Sequence, residues 1–279
     1  MKGLATRLVL VVRYLLLLLY AAISVYPLVW LIFYSFKTNA EIFYTNTFGL
    51  PSKFLYTNYV RAWHAYNMPS YFLNSAIVSA VTVVFTVFVA LMFSYATARM
   101  RWKLAAPSRL FVGVGLFIPV QVILIPLVLL IKGLHLTNSY ASLILPYVAF
   151  QLGFSTMAFY AFFRTIPFEF EEAAALDGAG IFSTFLRVIL PMVKPAITSV
   201  GIFVSLAAWN EFPVALILIN KESRKTLPLG LINFMGQFKT DWGAVGASLV
   251  IASLPTVILY LIFSRHIERA LTIGAALKG

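Results

Sequence analysis

The chain has 279 residues, of which 61% are hydrophobic and only 11% charged, and it carries a net charge of +12. A soluble domain holds about 25% charged and about 45–50% apolar residues, so this balance places the chain in the membrane class and argues against a separate soluble domain. Cysteine is absent, which excludes disulfides, a thiol nucleophile and thiolate metal ligands, and no basic tract with interleaved aromatics favours nucleic acid.

A helix that crosses the ~30 Å hydrocarbon core needs about 20 apolar residues. Six stretches qualify, at roughly 14–36, 72–98, 108–131, 140–163, 196–219 and 243–264. The expected fold is therefore an all-α integral membrane protein with six transmembrane helices in one transmembrane domain over 1–279. Lys2, Arg7 and Arg13 precede the first stretch as in a signal peptide. Its apolar run exceeds the about 7–15 residues of a cleaved segment, so it reads as an uncleaved span.

The Lys/Arg bias sets the orientation. With the N-terminus inside, the cytoplasm receives 13 of the 21 basic residues and the outside 8. The short connection holding Arg99, Arg101, Lys103 and Arg109 has no acid and must stay inside. Both termini are then cytoplasmic. Pro27, Pro119, Pro126, Pro146 and Pro255 fall within the spans and mark kinks or breaks near a solute path. Ser75, Ala76, Ser79 and Ala80 suit close helix approach, and Asn74 with Ser75 reads as a helix–helix contact.

Gln121 lies between Pro119 and Pro126, where its amide is placed either to meet solute hydroxyls or to bond another helix. Tyr147 and Gln151 are weaker lining candidates. Residues 164–194 form the longest inward connection. Pro167 opens a short helix whose Glu169, Glu171 and Glu172 sit at the positive end of its dipole. Asp177-Gly178 ends it through a left-handed glycine. Ile181, Phe182, Phe185, Leu186 and Ile189 then recur at helical spacing on a second piece, and Pro191 and Pro195 restrict entry into the next span. This hairpin fits either a protein partner or the headgroup layer, and three acids argue against an anionic surface.

In the fifth span, Asn210 and Glu211 are polar groups in an apolar stretch, facing a solute path or closing a structural hydrogen bond. Trp209 is placed either to stack on a sugar ring or to pack. His64, His135 and His266 are far apart and read as surface residues rather than metal ligands.

Glu172-Ala173-Ala174, then Gly178, then Val188-Ile189-Leu190-Pro191 resembles the E-A-A-x-x-x-G-x9-I-x-L-P motif of ABC importer membrane subunits, with Val188 at the usual Ile. The wider run Pro167 to Ala179 is similar to the version found in carbohydrate importers of the maltose type, with Phe170 at a usual Leu. Trp209-Asn210-Glu211-Phe212, Asp241-Trp242-Gly243 and the ending Leu271 to Gly279 resemble the smaller, G-type permeases of that family, with Ala270 at a usual Gly.

The resemblance implies a type I ABC importer transmembrane domain. It implies a multi-pass permease in a bacterial or archaeal cell membrane that forms half of a path for a di- or oligosaccharide. Glu171, Glu172, Ala173, Ala174, Asp177, Gly178, Phe182, Phe185 and Pro191 would form the ATPase-coupling element. Gln121, Trp209, Asn210 and Glu211 are candidates for the substrate path. Implied partners are a second permease, two ATPase subunits and an extracytoplasmic sugar-binding protein meeting loop 221–241. The tail after about Arg265 would reach toward the ATPases. ATP and Mg²⁺ would belong to the ATPase subunits, and this chain holds no G-x-x-x-x-G-K-[ST] loop, catalytic residue or cofactor motif of its own.

Glycerol-3-phosphate importers share the motif set and remain an alternative. A membrane-embedded enzyme would need convergent polar groups, yet there is no G-x-S-x-G, no H-E-x-x-H and no intramembrane Asp pair. A self-sufficient secondary transporter would show more spans and several membrane charges.

Overall fold

The computed structural model describes residues 2–64, 67–234 and 240–276, which are helical with no strand among them. Four helices are long and apolar enough to cross a membrane, at Val9–Ser35, Met68–Arg99, Tyr140–Thr165 and Trp242–Phe263. Two bent pairs raise the number to six when each counts as one span: Ala105–Phe117 with Val120–Gly133, bent by 106°, and Ile181–Met192 with Lys194–Trp209, bent by 74°. The chain groups into two compact units, Met1–Met68 with Gly230–Leu254, and Pro69–Leu229 with Pro255–Gly279.

The first unit contains helix α1 (Lys2–Ser35), α2 (Thr57–His64) and the start of α13 (Trp242–Ala276). The apolar stretch of α1 buries none of its surface within the chain, which marks a helix solvated by lipid or by another protein. Past its end, Asn58 is fully buried and donates its amide to the carbonyls of Ser35 at 2.8 Å and Lys37 at 3.0 Å. Asn39 donates to Thr240 O at 2.8 Å and accepts from Trp242 N at 3.0 Å, while Arg61 pairs with Asp241 at 2.7 Å. Gly243 sits where a Cβ would lie 2.5 Å from Asn58 Nδ2 and 2.6 Å from Lys37 O. Only a residue without a side chain permits that approach, which accounts for the glycine of Asp241-Trp242-Gly243.

The second unit contains α3 (Met68–Arg99), α4 (Ala105–Val114), α5 (Val120–Gly133) and α6 (Tyr140–Thr165). Short helices follow: α7 (Glu169–Leu176), α8 (Ile181–Thr184), α9 (Leu190–Met192), α10 (Lys194–Trp209), α11 (Pro213–Leu218) and α12 (Leu227–Gly230). Two apolar cores are strung along α3 and α6. One gathers Leu91, Tyr95, Phe159, Phe163, Phe185 and Ile189; the other gathers Val78, Leu143, Tyr147, Val214 and Leu218.

Two expected spans are not single helices. The 108–131 stretch breaks at Ile118-Pro119, where Ile118 is extended at ψ 111 because the ring of the following proline disfavours helical backbone there. Pro27, Pro126, Pro146 and Pro255 stay inside continuous helices. The 196–219 stretch ends as α10 at Trp209 and resumes as α11 at Pro213.

Candidate functional site

The loop at 164–194 builds from its prolines and glycines. Ile166 precedes Pro167 and is extended at ψ 125, which stops α6. Pro167 therefore lies before α7 rather than in its first turn. That first turn holds Glu169, Glu171 and Glu172, whose charges complement the helix dipole. At the other end Gly178 adopts φ +80. The Gly178 amide bonds to Ala175 O at 3.0 Å and the Ala179 amide to Ala174 O at 2.9 Å. These two bonds make a Schellman close, and glycine takes its left-handed position without strain.

Beyond the corner, α8 runs into a wide five-residue π turn, Phe185–Ile189. The stripe expected on one face divides. Phe185 and Ile189 are buried in the core beside Tyr95 and Phe163, whereas Ile181, Phe182 and Leu186 are exposed. Phe182 and Leu176 are 78% and 90% exposed, so the corner of the hairpin carries an apolar surface next to acids.

Of the residues expected to meet an ATPase, Glu172, Ala173, Asp177, Gly178, Phe182 and Pro191 are exposed. Ala174 and Phe185 are buried inside the chain and support the hairpin from beneath.

Glu171 turns inward. Its Oε2 accepts from Arg99 Nε at 2.9 Å and Arg99 Nη2 at 2.8 Å. Arg99 Nη1 donates to Phe163 O at 3.2 Å and Ile166 O at 2.8 Å, and Nη2 also donates to Pro167 O at 3.2 Å. The guanidinium lies 3.7 Å from the centre of the Phe168 ring. Only 2% of the Arg99 side chain is exposed. Sequence reasoning counted Arg99 as a topological charge; its position at the last residue of a span, four residues before acid-free basic positions, did not separate it from Arg101 or Lys103.

In the expected substrate path, Trp209 is buried and meets Phe72 edge-on at 5.2 Å. Asn210 is exposed and donates its amide to Leu206 O at 2.8 Å. Glu211 accepts the backbone N–H of Val214 at 2.7 Å and of Ala215 at 3.2 Å, together with the Tyr147 hydroxyl. It thus satisfies the unpaired donors that open α11. Gln121 is exposed on the first turn of α5.

Asn74 and Ser75 hold a loop rather than a neighbouring span. Asn74 Nδ2 donates to Ser223 O at 3.1 Å and Lys225 O at 2.8 Å, Tyr140 donates to Asn74 Oδ1, and Ser75 Oγ accepts the Leu227 amide. Asn138, at φ 59, accepts the amides of Asn220 at 2.7 Å and Lys221 at 2.8 Å. Sequence reasoning missed Asn138 and Tyr140; an asparagine before a serine helix cap was the available signal for a left-handed turn.

In the first unit, Lys37 is 1% exposed and donates to Asn46 O at 2.6 Å and Thr47 O at 3.2 Å. Burial pulls its amine below the ordinary lysine range, partly opposed by Glu41. Glu41 is held below the usual carboxylate range by the backbone N–H of Ser52 and, to a lesser degree, of Thr38. A cleft of about 320 Å³ here is lined by Lys37, Asn39, Arg61 and Asp241.

His64 and His135 are exposed, and no group of three His, Cys, Asp or Glu among the described residues is placed to hold a metal. His266 and the tail from Arg265 carry no described side chains, Leu277–Gly279 lie outside the described residues, and so do 235–239 of the outward loop.

Residues 90–273 match the family described as binding-protein-dependent transport system inner membrane component. The chain is 38% identical to a probable ABC transporter permease protein, YurM, of Bacillus subtilis, over 93% of this chain and 86% of that one. It is 33% identical to the diacetylchitobiose uptake system permease protein NgcG of Streptomyces coelicolor, again over 93% and 86%. Its fold superposes with a TM-score of 0.83 on a chain of a bacterial ABC transporter that imports the acidic polysaccharide alginate, at 20% identity over 94% of this chain and 97% of that one.

Proposed function

This chain belongs to the family of binding-protein-dependent transport system inner membrane components, and on that premise we propose that it is the permease subunit of a sugar-importing ABC transporter. It is a multi-pass membrane protein that forms half of a translocation path. Its solute is a di- or oligosaccharide, in keeping with the diacetylchitobiose permease it resembles over most of its length. ATP is hydrolysed in two separate ATPase subunits, a second permease completes the path, and an extracytoplasmic binding protein delivers the sugar. Both termini and the 164–194 loop face the cytoplasm.

The observation that carries the reading is the hairpin corner. Glu172, Leu176 and Phe182 stand exposed around the Gly178 turn, over a base buried in the chain's own core. A rigid, partly acidic, partly apolar knob of this kind suits a groove on a soluble partner. The glycerol-3-phosphate alternative rested on outward lysines, and Lys37 and Lys225 are both engaged, by two carbonyls and by Glu222.

The test is reconstitution of the chain with its partner permease, ATPases and binding protein in liposomes. ATP-dependent uptake of a labelled disaccharide is the expected result. Uptake that persists without the ATPases, or a chain that never binds them, refutes the proposal.

A further inference from the structure

We propose that Arg99 is a positioning residue for coupling. Through Glu171 it locks the exposed helix α7 to the ends of α3 and α6, so that a push on α7 moves both spans. The inference rests on the reading of 164–194 as the ATPase-facing element.

Arginine has five N–H donors in a rigid fork. Here they supply every bond the geometry records: one from Nε to Glu171, two from Nη1 to Phe163 O and Ile166 O, and two from Nη2 to Glu171 and Pro167 O. The carbonyls of Phe163 and Ile166 belong to the last turn and the cap of α6, which have no helical partners and carry the negative end of the dipole. Arg99 itself is the last residue of α3. One guanidinium therefore joins three elements, and the ring of Phe168 covers its face.

A stabilising pair alone would need none of this convergence. Arg99 is 2% exposed and Glu171 17%, whereas the next acid, Glu172, points out. Adjacent carboxylates on α7 thus have different duties: Glu172 is presented to a partner, and Glu171 is held by the membrane spans. Lysine cannot replace Arg99, because three donors on one nitrogen cannot reach Glu171 and three carbonyls in different directions.

Two measurements test this. In the cysteine-free chain, spin labels at positions 101 and 175, both exposed, report the separation of the α3 end from α7 in the assembled complex. The distance should be the same with and without trapped ATP in the parent, and should broaden in Arg99→Lys and Glu171→Gln. In liposomes the same variants should keep ATPase association and basal hydrolysis, while sugar imported per ATP falls about fivefold or more, the scale of an ordinary coupling free energy. A parent distance that changes with nucleotide overturns the clamp. An unchanged import ratio in both variants overturns its role in coupling. Loss of assembly in both, including the conservative Glu171→Gln, shows a folding staple and also overturns it. By contrast, a parent complex that takes up no sugar refutes the transport reading itself.

Discussion

Replacing Gly178 separates backbone demand from partner contact. A Cβ added there meets nothing within 4 Å, so a substitution costs nothing by clash inside the chain. The cost lies in φ +80. An L-residue that keeps this left-handed conformation loses roughly 1–2 kcal/mol, and a β-branched one more. A residue that abandons it forfeits the two closing bonds from residues 178 and 179, at about 1 kcal/mol each. The chain takes the cheaper route, which limits the penalty for Gly178→Val to about 2 kcal/mol, or about thirtyfold in local opening. Asparagine tolerates the left-handed region, so the expected order of damage is Asn, then Ala, then Val. Hydrogen exchange at amides 178 and 179 reads the opening, and ATPase co-purification reads docking on the same samples. Equal loss of docking for all three, with exchange unchanged, would refute the backbone argument and make Gly178 a point of close partner approach.

Glu172→Lys should release the ATPases from detergent-solubilised complexes, because an exposed charge at the corner is reversed while no internal bond is lost; unchanged co-purification and uptake would leave it a solvated helix-start acid. Glu211→Ala should cost about 1–2 kcal/mol by uncapping α11, read as earlier thermal unfolding, with Glu211→Gln milder. A cysteine at exposed position 210 should react with a small hydrophilic thiol reagent in a nucleotide-dependent manner, and silence in every state would place it outside the path. Glu41 is held below 4.5, so its contribution to stability is present above 4.5 and fades as pH falls through its lower folded value. Trp30 donates to Thr47 O at 3.0 Å, so its fluorescence should report an acid transition of the 36–55 segment that Glu41→Gln reduces.

Much of this was legible in sequence because the membrane sets harsh terms. Long apolar runs gave the spans, and the glycine after an acidic short helix gave the hairpin corner. What escaped has identifiable causes. Hydropathy is blind to direction, so the uniform apolar run through Ile118-Pro119 concealed a 106° bend. The π turn at Phe185–Ile189 shifts the helical phase, and a strict 3.6-residue count placed Phe182 and Phe185 on one face when one is out and the other in. Glu211 looked like a solute contact because the break after Trp209, whose donors it satisfies, was not visible in a continuous apolar stretch. Arg99 looked like its basic neighbours because its partners come from residues more than sixty positions away.

The loop from Asn220 to Leu227 is gripped largely by its main chain. Asn138 takes two amides, Asn74 gives to two carbonyls, and Ser75 accepts one amide. Such a cradle reads peptide groups, which every residue except proline supplies in full. Side chains along the segment are accordingly released from the task of holding its path. Evolution, or an engineer, can exchange them to suit a different binding protein while Asn74, Ser75 and Asn138 keep the course of the chain. Grafting this octapeptide between relatives should be structurally cheap, provided no proline replaces a donating position and the three cradle residues travel with the host.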